Sequence, residues 1–150
     1  MIELNGMAHI VLNVNRWAEN KRFYSALMPF LGMKQVFSGE EYIYFVGSRT
    51  AVGVRNCEKE NANRRFDQNL LGLHHFCLRA RKQEDIDDIY EYLASMKATV
   101  IRGPTVGEWA PGYYYVVFED YSGTRIEVNY VPGHGVLAEN VKFNPGEHYR

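Results

Sequence analysis

Apolar and polar positions alternate in short runs along this chain, and two stretches of helical spacing interrupt them. Over residues 8–14 the period is two. Ala8, Ile10, Leu12 and Val14 fall on one face and His9, Val11 and Asn13 on the other, which predicts a strand with one apolar and one mixed face. Asn15 is placed to cap a helix from about Arg16, in which Trp17, Phe23, Ala26, Leu27 and Phe30 recur near helical spacing. Pro29 is set to shorten that helix and Gly32 to stop it. Residues 33–37, 42–46 and 51–55 then read as three strands separated by polar turns. Residues 56–71 lose all periodicity and read as a polar connector without a catalytic residue.

After the connector the same order returns. The run Gly72-Leu73-His74-His75-Phe76-Cys77-Leu78-Arg79 repeats the pattern of Met7-Ala8-His9-Ile10-Val11-Leu12-Asn13, with His75 laid on His9. Here His74, Phe76, Leu78 and Ala80 share one face and His75, Cys77 and Arg79 the other. Residues 82–96 form an amphipathic helix with Ile86, Ile89, Leu93 and Met96 on one stripe. Its acids Glu84, Asp85, Asp87 and Asp88 lie near the N-terminus, where the helix dipole favours them. Strands at 99–102, 113–119 and 125–130 follow, the last two joined by a turn at 120–123. The chain is thus an α+β protein of two βαβββ modules within one domain of residues 1–150: a first module at about 7–55, a connector at 56–71, a second module at about 72–131 and a tail at 132–150. The tail carries Val136, Leu137, Val141 and Phe143, enough to pack on a module or on a second chain, while His134 and His148 read as surface residues.

Charge narrows the partners. With 17 Lys plus Arg against 18 Asp plus Glu, the net charge of −1 offers no footprint for nucleic acid or an anionic membrane, so a small neutral ligand or a metal is the expected partner. The two cysteines, Cys57 and Cys77, lie apart and form no C-x-x-C pair, and the apolar start is too short and interrupted for a signal peptide or a membrane span. A reduced, soluble, cytoplasmic protein is expected.

The candidate chemistry sits on the mixed faces. In the last strand Ile126, Val128 and Tyr130 oppose Arg125, Glu127 and Asn129, so a carboxylate joins the two histidines on faces where burial would favour apolar residues. Two imidazoles and one carboxylate, His9, His75 and Glu127, are a set that can hold a divalent metal and leave positions open for water and substrate. Taken singly, a strand histidine is ordinarily a hydrogen-bonded structural residue, and an exposed ion pair with Arg125 is the lesser alternative for Glu127. The equivalent places of His9 and His75 in two copies of one unit favour the metal reading.

These residues carry a resemblance. Ala8-His9-Ile10-Val11-Leu12, Phe23-Tyr24 followed by Leu31-Gly32-Met33, Leu73-His74-His75-Phe76 and the run from Phe118 to Glu127 resemble the vicinal oxygen chelate superfamily over about residues 7–131. That superfamily includes glyoxalase I, extradiol dioxygenases and the fosfomycin- and bleomycin-resistance proteins. Its hairpin F-x-D-P-x-G-x-x-I-E is similar to the run 118–127, with Tyr121 where proline is usual. The resemblance implies two βαβββ modules forming an incomplete barrel around a metal cavity, a homodimer, ligands at His9, His75 and Glu127, and a substrate that chelates the metal through neighbouring oxygens.

Departures from the family's patterns bear on the reaction. Ala51-Val52-Gly53-Val54 supplies no fourth, carboxylate ligand of the glyoxalase I kind; Val117 stands where extradiol enzymes place a tyrosine; Val11 stands where fosfomycin enzymes place a hydroxyl. Tyr113 and Tyr115 should share a face with Val117, and Tyr115 is the candidate for the catalytic hydrogen bond or proton. Asn13 and Arg79, on the ligand-bearing faces, are candidates for a substrate's carbonyl or anionic oxygen, and Trp109, in the loop 107–112, for the mouth of the site, with plain loop packing as its alternative. The expectation is a metalloenzyme using Fe, Mn, Zn or Ni as a Lewis acid, with dioxygenase, lyase or isomerase chemistry open. A metal-independent ligand-binding protein of the bleomycin-resistance type is the alternative.

Overall fold

The computed structural model describes residues 1–143. In chain order the elements are β1 (His9–Val14), α1 (Trp17–Phe30), β2 (Lys34–Ser38), β3 (Tyr42–Val46), β4 (Ala51–Asn56), β5 (Phe76–Arg79), α2 (Glu84–Ser95), β6 (Thr99–Val106), β7 (Tyr114–Glu119) and β8 (Arg125–Tyr130). Single 3-10 turns at Lys59–Asn61 and Gly135–Leu137 complete the list. Each half is a βαβββ module with an open four-stranded sheet, β1-β4-β3-β2 in the first and β5-β8-β7-β6 in the second. The chain divides into two compact units: Met1–Phe66 with Tyr121–Gly123, and Asp67–Asp120 with the segment from Thr124 onward.

In the first unit β1 runs parallel to β4, with His9 opposite Ala51 and Val11 opposite Gly53, while β3 pairs antiparallel with both β4 and β2. The alternation read from the sequence is the alternation of burial: Leu12 and Val14 are buried, whereas His9, Val11 and Asn13 are exposed. Ile43, Phe45, Val52 and Val54 add the sheet's share of the core, and α1 buries Phe23, Tyr24, Leu27 and Met28. Burying side chains of this size stabilises by about 1.5–3 kcal/mol each relative to exposure. Phe30, expected on this stripe, is 44% exposed, because the buried face of the helix is carried by Tyr24 and Met28 instead.

The start of α1 departs from expectation. Asn15 does not cap the helix: Arg16 is the capping residue, in the left-handed region at φ 45°, and no side chain caps there. Its carbonyl accepts from the amides of Glu19 and Asn20 at 3.1 and 3.0 Å. Asn15 is buried and turned to other partners, donating its Nδ2 to the Arg64 carbonyl and its backbone N–H to Ser122 Oγ at 3.0 Å. Pro29 is accommodated in the last turn of α1, and the chain leaves the helix at Gly32, φ 81°, where the amides of Leu31, Gly32 and Met33 bond back to Leu27, Pro29 and Met28.

In the second unit β5 runs parallel to β8, with Phe76 opposite Ile126 and Cys77 opposite Glu127, and β7 pairs antiparallel with β8 and β6. Phe76, Ile86, Ile89, Leu93, Val116, Phe118, Ile126 and Val128 form its core. Several boundaries move. β5 opens at Phe76, so His74 and His75 lie just before the strand rather than in it. The helix is shorter than the amphipathic stretch, and Asp85 Oδ2 accepts from the Lys82 amide at 3.0 Å just ahead of it. β6 extends through Gly103 and Pro104 to Val106, with a register shift between Arg102 and Thr105 that accommodates a proline without an N–H. Val136, Leu137 and Phe143 of the tail are exposed rather than packed on a module, and His148 lies outside the described residues. Among the described residues no helix is long and apolar enough to cross a membrane.

Candidate functional site

Strand β8 carries the site. Alternation sends Ile126 and Val128 into the core and turns Arg125, Glu127 and Asn129 to the other face, where Glu127 and Asn129 are nevertheless only 4% exposed. A buried carboxylate needs partners, since an unpaired one would cost several kcal/mol. Glu127 has four neighbours that supply them. Tyr113 donates its hydroxyl to Oε1, Asn129 Nδ2 donates to the same oxygen at 3.3 Å and to the Tyr113 oxygen, and His75 Nε2 lies 3.4 Å from Oε2. Cys77, paired with Glu127 in the β5–β8 register, is the fourth.

Burial pushes the Glu127 carboxyl up, but the bonds from His75 and Tyr113 and the His75 charge outweigh it and leave the group below its ordinary value. The reverse holds for its donors: burial, then the bond to Glu127 and its charge, drive Tyr113 far above an ordinary phenol. Burial and Glu127 keep Cys77 a thiol. The other nitrogen of His75 is also engaged, with Nδ1 2.7 Å from Nδ1 of His74, so one ring donates and the other accepts. Desolvation, His75 and Arg125 lower the pKa of His74.

Around this pair opens a cavity of about 140 Å³, lined by His75 and Glu127 together with Trp109, Tyr115, Arg102 and Arg125, and further by Gln68, His74, Ile101 and Val117. Trp109, 8% exposed, packs against Tyr113 and Tyr115 with ring centroids 4.9 and 5.1 Å away. Tyr115, the expected catalytic tyrosine, is 3% exposed and accepts from Arg102 Nη1 at 3.1 Å, so the tyrosine on the carboxylate is Tyr113. Arg125 is 3.4 Å from Glu119, not in an exposed pair with Glu127. Arg79 is exposed at the end of β5 and lines no part of this cavity.

The first unit holds the remaining candidates. His9 begins β1 on its exposed face, and Asn13 lines a different, polar cavity of about 260 Å³ in the same unit. Gly53 holds the place in the β1–β4 register that Glu127 holds in the β5–β8 register, so the first module has no carboxylate there. Among the described residues no group of three or more His, Cys, Asp or Glu side chains is arranged to hold a metal ion. His75 and Glu127 do fit as two ligands of one: donors each about 2.1 Å from an ion at a tetrahedral angle stand about 3.4 Å apart, the separation of Nε2 and Oε2.

Sequence reasoning passed over Tyr113 in favour of Tyr115, and missed Arg102 and Gln68. Parity with Val117, the partner of Glu127 across β7 and β8, put both tyrosines on the right face and did not choose between them. For Gln68, in the aperiodic connector, there was no signal.

Two βαβββ modules with open four-stranded sheets define a class of proteins. The chain belongs to the Glyoxalase/Bleomycin resistance protein/Dioxygenase superfamily, whose family model matches residues 6–128. Solved structures share the fold. A candidate glyoxalase from Bacillus halodurans is 20% identical at a TM-score of 0.71, over 83% of this chain and 95% of that one. A glyoxylase/bleomycin resistance protein/dioxygenase domain from Frankia sp. EAN1pec is 18% identical at a TM-score of 0.68, over 85% and 98%. Lactoylglutathione lyase from Agrobacterium tumefaciens is 18% identical at a TM-score of 0.59, over 83% and 92%. No curated protein matches the chain.

Proposed function

We propose that this protein is a metal-dependent enzyme of the superfamily that acts on a small substrate with vicinal oxygens. The observation that carries the reading is the 3.4 Å approach of His75 Nε2 to the buried Glu127 Oε2 beside a polar cavity. His75 and Glu127 would hold a divalent Fe, Mn, Zn or Ni, with His9 as the third ligand. The ion would serve as a Lewis acid for substrate oxygens. Tyr113 and Asn129 hold the carboxylate's orientation through Oε1, and His74 fixes the ring of His75, the role outer partners play around metal ligands. Tyr115 and Trp109 wall the cavity, and Arg102 and Arg125 bring positive charge to it, which suits a substrate carrying anionic oxygens. Asn13 and Arg79 belong to the proposal as more distant substrate contacts. The working form proposed is a cytoplasmic homodimer.

Metal content by elemental analysis, on protein purified without a tag or chelator, tests the reading. Near-stoichiometric metal in the wild type that falls in His75→Ala supports it; absence from both, before and after reconstitution with each ion, overturns it. The alternative, a metal-independent ligand-binding protein, is favoured by one observation: the Trp109–Tyr113–Tyr115 ring cluster against the cavity suits binding of a planar ligand without chemistry.

A further inference from the structure

The polar cavity of the first unit is built differently from the one just described. The residues lining it include three arginines, Arg55, Arg64 and Arg65, against one acid, Glu58. Glu58 is held by Arg55 at 2.9 Å. The Arg64 guanidinium has no carboxylate partner among the described residues. Arg65 lies over Gly123, where an added Cβ would stand 2.9 Å from its guanidinium carbon; only a residue without a side chain, at φ 88°, allows that seat.

The cavity is also lined by the polar residues Asn15 and Ser122. Asn15 is 9% exposed. Its Nδ2 is fixed on the Arg64 carbonyl, which settles which way its amide points, and its Oδ1 is buried with no hydrogen-bond partner. Ser122 Oγ accepts from the Asn15 amide at 3.0 Å and from Asn20 Nδ2 at 2.9 Å, and the Phe66 amide bonds to the Ser122 carbonyl at 2.9 Å. A buried acceptor left without a donor costs about 1–3 kcal/mol.

We infer that this cavity is a binding site for a small oxyanion that carries its own O–H, hydrogen phosphate or a hydroxy-acid anion. The guanidinium groups of Arg64 and Arg65 meet the charge and Asn15 Oδ1 accepts the hydroxyl. Arginine suits this task because its planar donor fork matches phosphate and carboxylate oxygens. The acceptor supplies selectivity: hydrogen phosphate and glycolate can donate to it, whereas sulfate and acetate cannot. None of the cavity's residues is a proposed metal ligand, and Asn13 alone is shared with the proposed substrate contacts.

Calorimetric titration of the full-length protein with phosphate, sulfate, glycolate and acetate at constant ionic strength tests the inference. Either phosphate or glycolate should bind saturably and at least about tenfold more tightly than its donorless counterpart, and whichever does so identifies the source of the oxyanion. Arg64→Gln, which keeps the backbone carbonyl that holds Asn15, should weaken that binding about tenfold, and Arg81→Gln, an exposed control, should leave it unchanged. On the wild type alone, the same ligand should shift the Asn15 side-chain amide resonance, so the test survives a variant that fails to fold. Absence of saturable binding, equal binding of the donorless anions, or equal losses in the two arginine variants would overturn the proposal.

Discussion

Gly53 in the first module stands opposite Val11 as Glu127 in the second stands opposite Cys77, and the space a side chain would take at Gly53 is filled by two tyrosines. A Cβ there would lie 2.5 Å from the Tyr42 hydroxyl and 3.1 Å from the ring of Tyr44. The repeat has been used asymmetrically: one copy keeps a buried carboxylate, the other closes the same position with rings. Gly53→Ala should therefore destabilise the protein by about 1–3 kcal/mol through overpacking. Tyr42→Phe, which removes the nearest atom, should return part of that loss. A double-mutant cycle by urea unfolding measures the coupling, and additive losses would show that the tyrosines move aside freely.

Tyr113 and Glu127 form the pair through which the proposed ligand is oriented. Tyr113→Phe deletes the hydroxyl bond to Oε1 and leaves Asn129 as the main donor there. The expected result is metal affinity lower by about 10–100-fold, with a stability loss of about 1.5 kcal/mol. Tyr115→Phe, whose hydroxyl meets Arg102 instead, should leave metal affinity within about twofold of wild type. Chelator competition separates the two variants, and equal losses would return the ligand-orienting role to Tyr115.

Glu127→Gln should abolish most metal binding while the fold persists, since the amide retains a carbonyl oxygen able to accept from Tyr113 and Asn129. Metal occupancy equal to wild type would remove Glu127 from the site.

The depressed carboxyl of Glu127 also sets a direction for acid stability. A group whose folded pKa lies below its unfolded value contributes stability above the unfolded value, and that contribution fades as pH falls through the folded one. The ordinary value is 4.5, so the loss begins near there and continues below it. Urea midpoints of metal-free protein should fall on acidification through this range, and less steeply in Glu127→Gln. Parallel slopes would show that other carboxylates dominate.

Asn20 is wholly buried in α1 and serves three partners: Nδ2 donates to the Asn15 carbonyl at 2.8 Å and to Ser122 Oγ at 2.9 Å, and Oδ1 accepts from the Tyr121 amide at 3.0 Å. Asn20→Ala strands a buried carbonyl and amide and should cost about 3 kcal/mol, read as a lowered urea midpoint with unchanged slope.

Much of this fold could be read from alternation and turn chemistry. The strands at 42–46 and 125–130 coincide with β3 and β8, and the mixed faces of β1 and β8 carry the polar residues the period assigns them. What could not be read depended on partners remote in sequence. Asn15 looks like a helix cap until Ser122 and Arg64 claim it, and the burial of Asn20 depends on Tyr121 and Ser122, about a hundred residues away. Pro104 argues for ending a strand at 102, yet an irregular register carries β6 past it. Between Tyr113 and Tyr115, parity is equal, and only the reach of each hydroxyl toward Glu127 or Arg102 separates them.

The turn Tyr121–Gly123 belongs to the first compact unit although the chain makes it last but for β8 and the tail. During synthesis the first sheet and its helix emerge early, but the hydroxyl of Ser122 and the amide of Tyr121 that satisfy Asn15 and Asn20 arrive only after most of the second module has been made. The first unit to be born is therefore among the last to be finished. Nascent chains halted before residue 121 should carry an early module that is helical and collapsed but open to proteases around α1, and release of the remaining residues should close it in one step.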